Sequence, residues 1–174
     1  MEHIVLGLLM LKSMTIYELN SNFCKGLTMI YAASYGNLQY AVKKLLEKNM
    51  IYFKEAVENS RNKKIYYINP KGVENFYEWM RQDVSSKNIE SLMLAKLYFL
   101  GLVKETAQKE LIIDNLAQAV REYLAELQAV KQTNSLADVP RAFQDIAKYQ
   151  LFTIDYGIGV CEYANRWLDD ARKL

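Results

Sequence analysis

Gln39, Tyr40, Lys43 and Lys44 fall on one side of a predicted helix, with Gly36 in line and Asn37 at its edge, and Arg61, Lys63 and Lys64 follow in a basic, polar turn. Gln and Asn can make paired hydrogen bonds to adenine, and Lys can reach guanine or phosphate. Gly36 permits close backbone approach. At the start of the helix, Ser34 and Tyr35 place unpaired N–H groups where a phosphate could accept from them. Three cations on one turn would grip a phosphate backbone and release its counterions, which makes binding salt-dependent. Each feature alone fits a solvated helix face or a soluble turn. A polar-faced helix running directly into two strands with a charged tip fits double-stranded DNA better, with the helix in the major groove and the tip on the phosphates.

Other chemistry lacks its residues. The single histidine, His3, stands alone near the N-terminus and reads as a surface or packing residue. Cys24 and Cys161 have no basic neighbour that would activate a thiolate, and they lie too far apart to suggest a CxxC pair, a zinc site or a disulfide framework. No glycine-rich phosphate loop, metal-ligand cluster or nucleophile elbow occurs. The thirteen tyrosines and two tryptophans recur at helical spacing and read as core. No catalytic residue, metal ligand or cofactor is therefore assigned, and the chain is read as no enzyme.

The elements that must position these groups follow from periodicity and punctuation. Ile4, Val5, Leu8, Leu9 and Leu11 make a short apolar helix. Thr15 with Glu18 three residues on forms a capping box for a second helix through Ile16, Leu19, Phe23 and Cys24 that ends near Gly26. After a connector at 27–33, Ser34 caps a third helix reaching about Asn49, with Leu38, Ala41, Val42, Leu45 and Leu46 on its inner side. Residues 50–58 and 64–69 are rich in β-branched and aromatic side chains and predict a hairpin about a turn at 59–63. Pro70 opens a fourth helix carrying Val73, Phe76, Tyr77 and Met80.

Ser85, Ser86 and Lys87 mark the expected boundary between a domain at 1–86 and another at 87–174. The second domain shows no convincing strand. It has an apolar helix at 92–102 and a long helix at 106–132, where Ile113, Leu116, Val120, Tyr123, Leu127 and Val130 alternate spacings of three and four as a heptad seam. A last helix carries Phe143, Ile146, Phe152, Tyr156, Val160, Tyr163 and Trp167. Gly157 and Gly159 lie inside it at a cost of roughly 1 kcal/mol each relative to Ala, as close approach of another helix would require. So much apolar surface on so few helices predicts a partner, and a second copy of the chain supplies one. Helices packing back within one monomer are the competing arrangement.

At 174 residues, with 51% hydrophobic and 24% charged residues and no low-complexity tract, the chain is expected to fold rather than stay disordered. Residues 1–87 hold twelve Lys or Arg against eight acids, and residues 88–174 hold ten against twelve. A basic half beside an acidic half suits a nucleic-acid module joined to a protein-contact module. The apolar runs at 4–11 and 97–103 are too short to span a bilayer, and residues 1–20 show no secretion signal, so a cytoplasmic location is expected.

Residues 4–81 resemble the winged-helix domain of the PadR family of bacterial transcriptional regulators. LGLL at 6–9 and IYEL at 16–19 are similar to its first two helices, NLQYAVKKLLEKNMI to its recognition helix and the start of its wing, and SRNKKIYYINPKG to its wing and following turn. TIDYGIGVCEYANRWLDDARKL at 153–174 resembles the last helix of the longer PadR subfamily, so the resemblance covers nearly the whole chain. Gln39 stands where the family usually has Tyr, Tyr40 where Pro is common, Asn49 at a Gly position, and Ser60 and Asn62 in place of the wing's Gly and Pro. These departures alter the base-reading surface and leave the fold intact.

The resulting expectation is a mainly α chain with a small β-wing: a winged helix-turn-helix domain followed by an all-helical dimerisation domain. Phe152, Tyr156, Val160 and Trp167 join the heptad seam as candidate dimerisation residues. Its function is expected to be binding an inverted-repeat operator as a homodimeric repressor. The resemblance further implies release by an effector, for which an unidentified small aromatic molecule is the candidate and for which Trp79, Tyr98, Phe99, Phe152 and Tyr156 could line a pocket between the domains. The alternative is a winged-helix ligand-sensing or protein-interaction module that does not bind DNA.

Overall fold

Residues 4–9 offer no polar side chain, and a helix apolar on all sides has to be buried on all sides. In a computed structural model, which describes residues 1–24, 35–58, 61–84 and 88–174 and omits the side chains of Glu58, Arg61 and Asp138, α1 (Glu2–Leu11) has this character, with residues 4–9 all buried. Ser34, the 59–60 turn, the 27–33 connector and the 85–87 boundary lie outside the described residues.

The described residues form two compact units, Met1–Gln82 with Glu90–Lys104, and Asp83–Ile89 with Glu105–Leu174. In the first, β1 (Met14–Thr15) leads into α2 (Ile16–Asn22), then come α3 (Tyr35–Glu47), β2 (Ile51–Glu58), β3 (Arg61–Ile68), α4 (Pro70–Arg81) and α5 (Ile89–Tyr98). The capping box forms as expected: the Thr15 amide donates to Glu18 at 2.8 Å and the Glu18 amide donates to Thr15 Oγ1 at 3.2 Å. The Thr15 amide, and after it the Thr15 hydroxyl, donating to Glu18 also hold its carboxyl below the usual range.

α1 packs against α2, α3 and α4. The amphipathic face of α3 turns Leu38, Ala41, Val42 and Leu45 into the core. At its C-terminal end Asn49 takes the left-handed conformation, with φ 52°. The junction from α3 through the wing to α4 is tied there: Asn69 Nδ2 donates to the Asn49 carbonyl at 2.7 Å, while Asn69 Oδ1 accepts from the Gly72 amide at 3.0 Å and so caps α4. Gly72 makes this junction sterically feasible, since a Cβ there would stand 2.2 Å from the Met50 carbonyl oxygen.

Two expectations about this unit change. The sheet has three antiparallel strands in the order β1-β3-β2, because Met14 and Thr15 pair with Tyr66 and Ile65. A two-residue strand beside a cap is too short to leave a periodic signal. The domain cut after residue 86 also gives way: most of α5 and the 3-10 turn Leu100–Leu102 belong with the winged helix. The reason is packing. Phe99 stands edge-on to Phe76 at 5.8 Å, the Tyr77 hydroxyl donates to the Leu102 carbonyl at 3.1 Å, and buried Lys96 donates to the Gln82 carbonyl.

The second unit is built on an antiparallel pair, α6 (Thr106–Thr133) and α7 (Gln144–Ala171). Lys131 and Asp155 meet at one end at 2.6 Å, Arg172 and Asp114 at the other at 2.7 Å. α7 runs unbroken through both of its glycines. Among the described residues, no helix is long and apolar enough to cross a membrane.

Candidate nucleic-acid interface

The burial of Leu38, Ala41, Val42 and Leu45 fixes what α3 leaves outside. Tyr35, Gly36, Asn37, Gln39, Tyr40 and Lys43 are exposed, and Lys44 is half-buried. All the polar residues expected on this face that the structure describes thus lie on it. Two contacts organise it. Lys44 Nζ sits 4.8 Å from the Tyr40 ring centre, and its hydrogen bond with Tyr40 raises the pKa of its ammonium. Lys43 stands 3.9 Å from Glu47, a pair so exposed that it leaves Lys43 available to another anion.

The wing departs from its expected shape. β2 and β3 pair in register from Ile51 with Ile68 out to Glu58 with Arg61, so the strands extend past the proposed 59–63 turn. Arg61 is the first residue of β3, whereas Lys63 and Lys64 lie inside the strand rather than at its tip. Consecutive strand residues face opposite ways. Lys63 and Lys64 therefore occupy different faces and do not cluster, and this corrects the single cationic tip. Lys63 is half-buried and Lys64 exposed.

Each face combines cations with aromatic rings. On one, Lys64 Nζ lies 4.2 Å from the centre of the Phe53 ring, which meets Tyr66 edge-on at 6.1 Å. Glu55 pairs with Lys64 in the ladder and tempers the charge of that face. On the other, Tyr52 stacks on Tyr67 at 5.2 Å, with Lys54 Nζ 5.5 Å from the Tyr67 ring centre. Lys63 shares this second face, where the ladder partners of Lys54 and Lys63 are Ile65 and Ala56. Sequence reasoning missed Lys54 and Tyr52. The alternation beginning at Ile51 is their signal in the sequence. Burial pushes the Tyr66 hydroxyl up, with Tyr35 as a secondary cause, an electrostatic link between the first turn of α3 and the wing.

The aromatic residues weighed for an effector pocket divide. Trp79 and Phe99 are buried, Tyr98 is exposed, and Phe152 and Tyr156 are exposed on α7. His3 stacks on Trp79 at 4.9 Å, a packing role. Of the heptad seam, Ile113, Leu116 and Val120 are buried, Tyr123 and Leu127 half-buried, and Val130 exposed; Val160 and Trp167 on α7 are half-buried.

The family model described as "Virulence activator alpha C-term" matches residues 91–174. Over 157 residues the chain is 22% identical to the negative transcriptional regulator PadR of Bacillus subtilis (strain 168), covering 88% of this chain and 86% of that one. Among solved structures, Bacillus subtilis PadR in complex with operator DNA aligns with a TM-score of 0.47 at 18% identity, covering 99% of this chain and 95% of that one. A PadR-like transcriptional regulator from Bacillus cereus aligns with a TM-score of 0.45 at 23% identity, covering 99% and 93%.

Proposed function

We infer that this chain is a PadR-family transcriptional regulator that binds double-stranded DNA as a homodimer and represses transcription by occupying an inverted-repeat operator. The observation that carries the reading is the order of parts in one unit: α3 with its polar face outward, followed at once by a two-stranded wing bearing cations on both faces. Support outside the geometry comes from the 22% identical relative, a negative regulator by name, matched along most of both chains.

Residue roles follow from reach. Asn37, Gln39, Tyr40 and Lys43 project from α3 and take base edges or their immediate surroundings. Lys44, steadied by Tyr40, takes phosphate together with Lys54, Arg61, Lys63 and Lys64 of the wing. Tyr35 stands at the start of the helix, where amide groups can donate to a phosphate, and Ser34 is assigned to the same role on the sequence alone. Two copies related by a two-fold axis would set their α3 helices in successive major grooves, about 34–36 Å apart. The helical second unit holds the copies together, through residues drawn from Ile113, Leu116, Val120, Tyr123, Leu127, Val130, Phe152, Tyr156, Val160 and Trp167. A cytoplasmic location goes with this role. Release is assigned to a small aromatic effector, on the family resemblance.

In vitro selection from random duplexes tests the reading. Enrichment of an inverted repeat with half-sites one helical turn, or a whole number of turns, apart is the expected result. Recovery of unselected sequence would overturn it and favour a winged helix used for sensing or protein contact.

A further inference from the structure

The seam of α6 closes at one end and stays open at the other. Ile113, Leu116 and Val120 are buried, whereas Val130 is 45% exposed. At that open end, where the connection 134–143 joins α6 to α7, the hairpin holds a cavity of about 430 Å³. Its apolar walls are Val130 of α6, Val139 of the connection, and Ala147, Leu151 and Ile154 of α7. Small-molecule sites run from roughly 300 to 1,000 Å³, so the volume suffices for one. Apolar walls that face no protein atoms forgo dispersion contacts, and a ligand of matching shape supplies them. None of the aromatic residues weighed for an effector pocket lines this cavity.

The connection over the cavity is held in place. Ser135 Oγ accepts from the Ala137 amide at 3.2 Å, and Gln144 Nε2 donates to the Val139 carbonyl at 3.1 Å. Polar residues complete the lining, and their hydrogen bonds leave a defined set of groups unused. Thr133 Oγ1 directs its proton to the Ala129 and Val130 carbonyls, and Asn134 Nδ2 donates to the Val130 carbonyl at 2.7 Å. Asn134 Oδ1, the Ser135 hydroxyl proton and the Gln150 side-chain amide have no partner among the described residues. The rim thus offers both acceptors and donors. The residues that line the cavity carry no charge. An ion seated there would lose water without gaining a counter-charge. The carbonyl end of α6, which is partially negative, opposes an anion most.

We propose that this cavity is a binding site for a compact, uncharged molecule with an apolar body and an amide-like head. The body seats on Val130, Leu151 and Ile154, and the head donates to Asn134 Oδ1 and accepts from Ser135 or Gln150. The site stands on the second unit alone and does not depend on DNA binding. It takes Val130 for the ligand rather than for contact between copies. Because neutral dipoles read the head, the site separates an amide from a carboxylate of the same shape.

Benzamide and benzoate, alike in shape and different in charge, test this on the full chain by methyl NMR. Benzamide is expected to move the methyl signals of Val130, Leu151 and Ile154. Benzoate should bind at least about tenfold more weakly, as an unpaired charge implies. Ala147→Phe fills the cavity and should abolish the benzamide shifts, with helix content unchanged by circular dichroism. Gln150→Leu, on the exposed rim, keeps the fold and should weaken benzamide about fivefold, the worth of one hydrogen bond. Equal affinity for the two probes would overturn the uncharged class. Benzamide shifts that persist unchanged in both variants would overturn the site, as would no shift at millimolar benzamide. Methyl signals that move instead on dilution of the protein would give the cavity to a side chain of a second copy and overturn the ligand.

Discussion

Gly72 and Gly101 differ in what a single methyl group would meet. At Gly72 the added Cβ would lie 2.2 Å from the Met50 carbonyl oxygen, an atom held by the wing junction; at Gly101 it would find nothing within 4 Å. Gly72→Ala is therefore expected to destabilise the chain by about 3 kcal/mol, and Gly101→Ala by less than about 0.5 kcal/mol. Thermal melts of the two variants check the contrast. His3 supplies a pH dependence. Burial on Trp79, with the N-terminal amine second, pushes its pKa from 6.5 down to about 4. Between those values the unfolded chain binds a proton that the folded chain does not, so this residue's contribution to stability falls as pH drops from 6.5 to about 4 and is fully present above 6.5. Urea midpoints of wild type and His3→Gln across this range should converge as the pH falls, and a constant difference would contradict the assignment. On α3, Gln39 stands at the centre of the exposed face. Gln39→Ala is expected to lower discrimination against single-base operator changes by about 1–3 kcal/mol while leaving binding to unrelated DNA nearly unchanged, as competition titrations would read.

At the scale of elements, periodicity and caps were legible where one residue type has one physical use. The Thr15–Glu18 box, the left-handed Asn49, Pro70 at the start of α4 and the division of α3 into buried and exposed faces all follow from local rules, and the structure places each of them as those rules require. In the wing, polarity predicts a turn where the structure has strand. Arg61 to Lys64 are polar, but the outer part of a two-stranded wing is wet on both faces, so solvation does not force the chain to bend there. The register then moves Lys63 and Lys64 to opposite faces and adds Lys54 to the cation set. α5 was misassigned for a different reason: its apolar run says that it must be buried, not against which unit, and only the Phe76–Phe99 contact and the Tyr77 hydrogen bond decide. The wing carries its own prediction. Each phosphate contact contributes about 0.9 to the slope of log affinity against log salt. Replacing Arg61, Lys63 and Lys64 by Ala should lower that slope by about 2–3 and weaken specific and unspecific binding alike, and a slope equal to wild type would remove the wing from the interface.

For the whole molecule, the sequence separates a basic half from an acidic one, and the structure forms two units that depart from that division chiefly in the place of α5. The heptad of α6 was legible as a seam, but not which helix would fill it. α7 of the same chain packs along α6, with Gly157 under Leu127, because a hairpin partner tethered by a short connection is always at high effective concentration. On the proposed function, this molecule reads DNA. A fluorescence-anisotropy titration with the DNA upstream of its own gene, against a scrambled duplex, at two salt concentrations, tests it most directly. Tight binding to the upstream DNA, much weaker binding to the scrambled duplex and a steep loss of affinity with salt are expected. No binding to either duplex at low salt, from a protein shown to be folded and dimeric, would contradict it.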